Sequence, residues 1–369
     1  MRELIRALID VSALNSNLRV LRRAAPRSKV MAVIKANAYG HGLINIAQAL
    51  PSADAFAVAR LDEALELRAA GITQPIVLLE GAFDAMQLAS AALANLEIVV
   101  HDLSQVASLE HFSGTHQFIV WLKVDTGMNR LGFRPEQILS VQQRLCNLQR
   151  PLRELRMMTH LACADELESD MTAHQLQCFE RVLGPLSTTL GSKPVTSIGN
   201  SAGALFWPNA QGDWIRPGLA LYGVSPSALR EGDSLGLLPV MTFQTTVIAT
   251  RQVAVGESVG YGASWRATRA TRLAILAAGY GDGVPRHLPS GTPVLICPSG
   301  ATTAQRAPLV GRVSMDMIAV DVTELPAVHV GSCAQLWGPG LKVEEVAAAA
   351  QSIPYELLCG LSHRVPLKD

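Results

Sequence analysis

AFAVARLDEALELRAAGITQPIVLL, residues 55–79, reads as one strand–helix–strand unit. Ala55–Val58 is a short apolar run. Arg60–Ala70 follows with helical spacing, Leu61, Ala64, Leu65 and Leu67 marking one apolar face. Gly71 ends the segment as a helix C-cap, where glycine takes the left-handed conformation without a steric penalty. Ile76–Leu79 is the next apolar run. The alternation continues on both sides: Val30–Ile34 precedes this unit, and Glu97–Val100, Phe118–Val124, Leu155–Leu161, Val195–Ile198 and Trp214–Ile215 follow it, with helix-like segments between. Eight runs separated by helical segments fit a (β/α)8 barrel. A doubly wound α/β sheet fits the same alternation, because periodicity alone does not count strands.

The texture changes after about residue 235. Met241–Thr250, Leu273–Leu276, Val294–Cys297, Met317–Val322 and Ala334–Leu336 are rich in Val, Ile and Thr and are bounded by Gly and Pro, as in Ser290-Gly291-Thr292-Pro293. This predicts a barrel domain over residues 10–235 and a mostly β domain over residues 236–369. A terminal helix is expected near Val343–Ala350, and the weakly alternating Arg2–Ile9 is expected to add a strand to the second domain.

Composition bounds the function. Of 369 residues, 49% are hydrophobic and 17% charged, which allows a large core and opposes disorder. Lys plus Arg number 31 and Asp plus Glu number 31, so the basic excess that nucleic-acid binding requires is missing. No apolar run approaches the roughly 18 residues of a membrane span. Charges interrupt the opening MRELIRALIDVSALNSNLRVLRR too often for a secretory signal. The six cysteines, at 146, 163, 178, 297, 333 and 359, show neither a C-x-x-C pair nor metal-ligand spacing. They are expected to be free thiols of a cytoplasmic protein that binds no metal.

Two features carry chemistry. In AVIKANAYGHG, residues 32–42, a strand ends in Lys35 and a loop of small residues follows. Catalytic side chains of barrels sit at the carboxyl ends of strands. A lysine inside that mouth is partly desolvated and suited to form a Schiff base. Taken alone, a solvated strand-end lysine is the commoner case. The second feature is a pair of loops after the seventh and eighth runs, where barrels often bind phosphate. SIGNSAG (197–203) offers the Ser201 hydroxyl, and RPGLALYG (216–223) offers Gly218, which lets backbone approach an anion closely. Each loop alone is equally consistent with an ordinary turn. Together with Lys35 they point to a phosphorylated cofactor held as an imine.

These motifs, with LKVDTGMNRLGF (122–133), THLACAD (159–165), DWIRPGLALYGVSP (213–226), VGYGASW (259–265), GYGDGVPR (279–286) and GRVSMDM (311–317), closely resemble alanine racemases over nearly the whole chain. The resemblance implies a (β/α)8 barrel followed by a β-rich domain, a homodimer with active sites between subunits, and pyridoxal 5'-phosphate as cofactor. It implies that Lys35 anchors the cofactor. Tyr39, Ser201, the backbone at Gly218 and Leu219, and Tyr355 would bind its phosphate. Arg216, oriented by His160, would face the pyridine nitrogen. Arg130 would contact the ring and the substrate, braced by Lys123, which matches a lysine carbamylated in some members. Tyr261 would reach into the partner's site as the second base, and Met315 would offer its backbone N–H to the substrate carboxylate. Asp165, Tyr280, Arg286 and Arg312 would line the substrate entrance.

The chemistry suits these residue types. Racemisation removes a Cα proton from one face and returns one to the other, so two bases on opposite faces, Lys35 and Tyr261, suffice. A tyrosine ordinarily titrates near ~10, so one acting as a base requires a hydrogen bond or a nearby cation. Barrel-type amino-acid decarboxylases share this architecture but place an acidic residue at the pyridine nitrogen, where this chain has Arg216. A vitamin B6-handling barrel would lack the second domain. Broader racemase specificity stays open, as does the choice between making D-alanine for the cell wall and degrading it.

Overall fold

The computed structural model describes residues 4–297 and 304–368; residues 2–3 of the expected first strand, and residues 1 and 369, lie outside the described residues. β1 (Ile5–Ile9) opens the chain. Eight parallel strands follow: β2 (Lys29–Val33), β3 (Ala55–Val58), β4 (Ile76–Leu78), β5 (Glu97–Val100), β6 (Ile119–Lys123), β7 (Glu154–Met158), β8 (Thr196–Ser197) and β9 (Trp214–Ile215). Each pairs with its neighbour in sequence, and β9 returns to pair with β2. The ring closes between β8 and β9 where Asp213 N–H donates to Thr196 O (3.1 Å) and Arg216 N–H donates to Gly199 O (2.7 Å). The sheet is therefore a (β/α)8 barrel and not a doubly wound sheet. Residues of β3 and β4 are buried throughout, as parallel strands covered on both faces must be.

The unit at residues 55–79 shows how local chemistry sets the pieces. The helix Leu61–Ala69 buries Ala64 and Leu67, but Leu65 is 40% exposed, contrary to the expected face. At about 100° per residue, Leu65 lies well off the line that Ala64 and Leu67 share. Gly71 adopts φ 82° and donates to Arg68 O, while Ile72 N–H donates to Leu67 O, a Schellman closure of the helix. At the helix start, Glu63 Oε2 accepts from Ala59 N–H (2.9 Å) and Arg60 N–H (3.1 Å).

The amino-terminal end of the barrel is plugged. Trp121 of β6 and Trp214 of β9 meet edge to face across the interior, 6.2 Å between centroids. Glu97 Oε2 accepts from Trp121 Nε1–H (2.7 Å) and pairs with Arg156 (3.2 Å). Burial raises the Glu97 pKa, and the Arg156 charge opposes that rise. This end carries stability, leaving the opposite mouth for chemistry.

The second half is a closed antiparallel barrel. Its strands are β10 (Met241–Val253), the two-stranded hairpin β11 (Ser258–Val259) and β12 (Trp265–Arg266), then β13 (Thr271–Leu276), β14 (Pro293–Cys297), β15 (Gln305–Val310), β16 (Ile318–Asp321), β17 (Cys333–Trp337) and β18 (Leu367–Lys368). The ring runs β10–β13–β16–β15–β14–β17 and back to β10. β10 spans 13 residues and shifts register at Val247/Ala249, so its two ends serve different neighbours. β1 pairs antiparallel with β10 and parallel with β18, so both chain ends join this sheet. The helices Val343–Ala349 and Pro354–Cys359 complete the domain. The last of them docks against the mouth of the first barrel: a Cβ on Gly40 would lie 2.1 Å from Leu358 O. Among the described residues, no helix is long and apolar enough to cross a membrane.

Candidate active site

Lys35 follows β2 and stands, as expected, at the carboxyl end of a barrel strand. The residues after it do not form an ordinary loop. Ala36, Asn37, Ala38 and Tyr39 all have φ between 52° and 53°, a full left-handed turn without glycine. Such a turn costs roughly 1–2 kcal/mol per residue, so neighbours must hold it. Asn37 Oδ1 accepts from Leu43 N–H (2.8 Å), and Asn37 O accepts from Gly42 N–H (3.0 Å). His41 Nδ1 lies 2.8 Å from Tyr39 O and 3.1 Å from Ala38 O. Carbonyls only accept, so Nδ1 carries the proton. Complete burial pulls the His41 pKa down to about 4 and keeps the ring neutral. One turn carries the chain from Lys35 to Tyr39, and both line a single cavity of about 570 Å³.

One wall of this cavity is cationic. Lys123 ends β6, Arg130 lies in the loop beyond it, His160 follows β7 and Arg216 follows β9. Arg216 is buried and donates from Nη1 to Ser197 Oγ (2.7 Å) and from Nη2 to Thr159 O (2.6 Å) and Ile198 O (3.2 Å). His160 Nδ1 lies 3.2 Å from Nη2 and accepts from it. Burial, then the Arg216 charge, holds the His160 pKa well below its usual value, so the imidazole is a neutral acceptor. Burial lowers Arg216 to about 10, still far above neutrality. Lys123 falls to about 8 through burial and the charges of Arg216, Arg130 and Lys35.

The opposite end is a cradle of donors. Ser201 opens the helix Ser201–Phe206, whose cap Asn200 accepts from Gly203 N–H (2.9 Å). Ser201 Oγ accepts from Gly218 N–H (3.0 Å) and Ala220 N–H (3.2 Å), which ties the loops after β8 and β9 together. Gly218 has no room for a side chain, since an added Cβ would lie 2.3 Å from Tyr39 Oη. Leu219 lines the same wall. Tyr39 lies between Tyr222 (4.9 Å between centroids) and Tyr355 (5.9 Å), its ring tilted against both. Burial pushes Tyr355 up to about 12, with Asp165 adding to the rise, and places Tyr39 well above its ordinary value. Both hydroxyls therefore keep their protons and can donate to an anion.

The remaining site residues lie elsewhere in this chain. Tyr261 sits in the turn between β11 and β12, 68% exposed, and is not part of the Lys35 cavity. The glycines beside it have φ of 74° and 72°. Arg312 crosses this turn, its Nη1 3.0 Å from where a Cβ on Gly262 would be. Met315 and Tyr280 belong to the same face: Met315 O accepts from Gly281 N–H (2.8 Å), and Ser314 O accepts from Tyr280 N–H (3.0 Å). Met315 and Tyr280 are 52% and 40% exposed, and Arg286 is exposed on the loop after Tyr280. The β domain thus presents Tyr261, Tyr280, Arg312 and Met315 on its surface, while the barrel cavity gathers Lys35, Tyr39, Lys123, Arg130, His160, Ser201, Arg216, Gly218 and Leu219, joined by Tyr355 from the helix Pro354–Cys359 of the second domain. Asp165 is exposed, close enough to Tyr355 to raise its pKa.

Sequence reasoning passed over several cavity residues. Among the described residues Glu80 is the one carboxylate lining it, and Cys359 brings a thiol. The position of Glu80 just past Leu79, at the end of an apolar run, was the available signal. His41 lies inside a quoted motif, but nothing in its spacing indicates that it braces a left-handed turn.

Comparison with known proteins agrees along the chain. A family model described as "Alanine racemase, N-terminal domain" matches residues 9–226, and one described as "Alanine racemase, C-terminal domain" matches residues 240–368. The curated alanine racemase of Shewanella baltica (strain OS155 / ATCC BAA-1091) is 49% identical over 98% of this chain and 97% of its own length. The crystal structure of biosynthetic alanine racemase from Pseudomonas aeruginosa superposes with a TM-score of 0.93 at 43% identity, covering 100% of this chain and 99% of that one. The structure of alanine racemase from Acinetobacter baumannii gives 0.91 at 38% identity, again covering 100% and 99%.

Proposed function

We propose, for a chain that belongs to the alanine racemase family, that it interconverts L- and D-alanine with pyridoxal 5'-phosphate at a site shared by two copies. The observation that carries this reading is one cavity holding a strand-end lysine, the hydroxyls of Tyr39, Ser201 and Tyr355 beside Gly218, and, among the described residues, a lining of four lysine and arginine side chains against one carboxylate. The residues fit the cofactor. Tyr39, Ser201, Tyr355 and the backbone at Gly218 and Leu219 would hold the phosphate. Arg216, with its fork fixed on four acceptors, would donate to the pyridine nitrogen, and Lys35 would bond the cofactor through Nζ. Bound there, pyridoxal phosphate supplies an electron sink for the charge left at Cα when its proton departs.

The protein's own groups do the rest. Lys35 takes or returns a proton on one face of Cα. Tyr261 serves the other face from a second copy, which explains why it stands exposed on a turn away from its own chain's cavity. Met315 N–H and Arg130 orient the substrate carboxylate, and Asp165, Tyr280, Arg286 and Arg312 shape the approach. Lys123, lowered to about 8 among cations, has a neutral fraction able to react with carbon dioxide. The carbamate formed would replace a positive charge with a negative one beside Arg130. Most cofactor contacts would come from residues before a chain division near residue 235 and the second base from after it, with Tyr355 reaching the cofactor from the second part. The cysteines at 146, 163, 178, 297 and 359 are free thiols, which supports a cytoplasmic location.

The test is borohydride reduction of the cofactor-loaded protein, then peptide mapping. Cofactor on Lys35, with loss of nearly all turnover in Lys35→Ala, is expected. Cofactor on another lysine would overturn the assignment.

A further inference from the structure

Among the described residues, one hydrogen bond reaches the left-handed turn after Lys35 from outside its own loop. Glu63 Oε1 accepts from Ala36 N–H at 2.6 Å, while Oε2 caps Ala59 and Arg60. One carboxylate therefore binds three backbone N–H groups and ties the exit of β2 to the exit of β3. The Ala36 N–H belongs to the Lys35–Ala36 peptide, so Glu63 fixes the direction in which the chain leaves Lys35. We propose that Glu63 is a positioning residue for the reaction, holding the strained turn in the one conformation that presents the Lys35 amine and the Tyr39 hydroxyl to the same cofactor. This rests on the reading of Lys35 and Tyr39 given above.

The physical case has three parts. Four successive non-glycine residues in the left-handed region do not stay there unaided. The other side-chain clamps, from Asn37 and His41, act on the far side of the turn; at its start Ala38 N–H donates to Ile34 O (2.8 Å) within the segment, and Glu63 ties that start to the exit of β3. The carboxylate is also well suited to the task, because a charged acceptor bonds backbone N–H more strongly than a neutral one. Without it, Ala36 is free to relax toward right-handed values, and a change at Ala36 rotates Lys35 relative to Tyr39.

The expected consequence is loss of cofactor affinity beyond any loss of stability. Glu63→Ala should raise the Kd of the apo-protein for pyridoxal phosphate about ten-fold, equivalent to about 1.4 kcal/mol. It should lower kcat more than it changes KM for alanine. Glu63→Gln, which keeps one neutral acceptor, should fall between wild type and Glu63→Ala and covers the case in which the alanine variant folds poorly. Asp84→Ala is the control. Asp84 caps the helix Ala85–Leu93 through Gln87 N–H (2.7 Å) without touching the Lys35 turn, so it should cost stability and leave the Kd unchanged. If folded Glu63 variants lose stability as Asp84→Ala does but bind cofactor like the wild type, Glu63 is only a helix cap and the proposal fails. Borohydride mapping on the wild type separates the two readings: cofactor on a lysine other than Lys35 overturns the anchor, whereas cofactor on Lys35 with an unchanged Kd in Glu63→Ala overturns the clamp alone.

Discussion

Gly218→Ala tests the cradle with a single methyl group. Gly218 has φ −118°, outside the left-handed region, and the added methyl acts through the contacts it makes. The new Cβ would stand 2.3 Å from Tyr39 Oη and 2.9 Å from its Cζ. Ordinary contact begins near 3.4 Å, so the tyrosine end must retreat by about 1.1 Å. Its ring is buried and flanked by Tyr222 and Tyr355, which leaves little room. Overpacking of this kind costs about 1–3 kcal/mol. A displacement of that size also breaks the hydrogen bond that Tyr39 would give the phosphate, and losing a bond to a charged group costs about 1.5–3 kcal/mol. That corresponds to about a 10- to 150-fold rise in the Kd for pyridoxal phosphate. Titration of apo-protein by cofactor fluorescence, with a denaturant curve for each variant, measures both terms. Tyr39→Phe in the Gly218→Ala background removes the closest colliding atom, so it should recover part of the stability and none of the affinity. A folded Gly218→Ala protein with wild-type Kd and stability would refute the cradle.

Other predictions follow from the buried charges. Lys123 is 9% exposed and lowered from 10.5 to about 8, so its burial costs stability on the order of 3 kcal/mol. The sign is that of a base with a depressed pKa: the cost is full below about pH 8 and vanishes above 10.5. Lys123→Met should therefore stabilise the apo-protein in urea at pH 7 and lose that advantage towards pH 10.5; an advantage unaffected by pH would contradict the charge argument. Carbon-13 bicarbonate should label Lys123 as a carbamate above pH 8 and much less at pH 6, because only the neutral amine attacks carbon dioxide; label equal in wild type and Lys123→Met would rule this out. Arg216→Glu sets a carboxylate against Thr159 O and Ile198 O, so folding and cofactor content must be checked first. In folded protein the pyruvate formed per alanine racemised should rise, and an unchanged ratio would show that Arg216 does not govern reaction specificity.

Much of this site was legible because barrel chemistry sits where strands end. Lys35 and Ser201 each follow an apolar run within a few residues, so finding the strands located them, whereas Lys123, His160 and Arg216 were singled out by the resemblance to alanine racemases. The left-handed turn was not legible: Ala36, Asn37, Ala38 and Tyr39 include no glycine, and their conformation is imposed by clamps from Glu63, Asn37 and His41. The hairpin that carries Tyr261 was missed as secondary structure, since β11 and β12 have two residues each and no period shows in so short a run. β15 was missed because Pro308 and Arg306 interrupt it; Pro308 is tolerated opposite Pro293, near the start of β14. The β-domain closure was equally hidden, because it depends on one long strand, β10, changing partners at its register shift.

The most direct measurement of the central claim mixes two inactive proteins. Lys35→Ala supplies an intact Tyr261, and Tyr261→Phe supplies an intact Lys35. If the two bases come from different copies, a mixed dimer has one site with both changes and one site wholly intact. Random exchange of equal amounts should then restore about a quarter of the wild-type sites in a two-fold assembly. Alanine racemisation is followed by circular dichroism after exchange, which is confirmed by native mass spectrometry. Recovery towards that level is the predicted result. No recovery despite confirmed mixed dimers would place both bases on one chain and contradict the shared site.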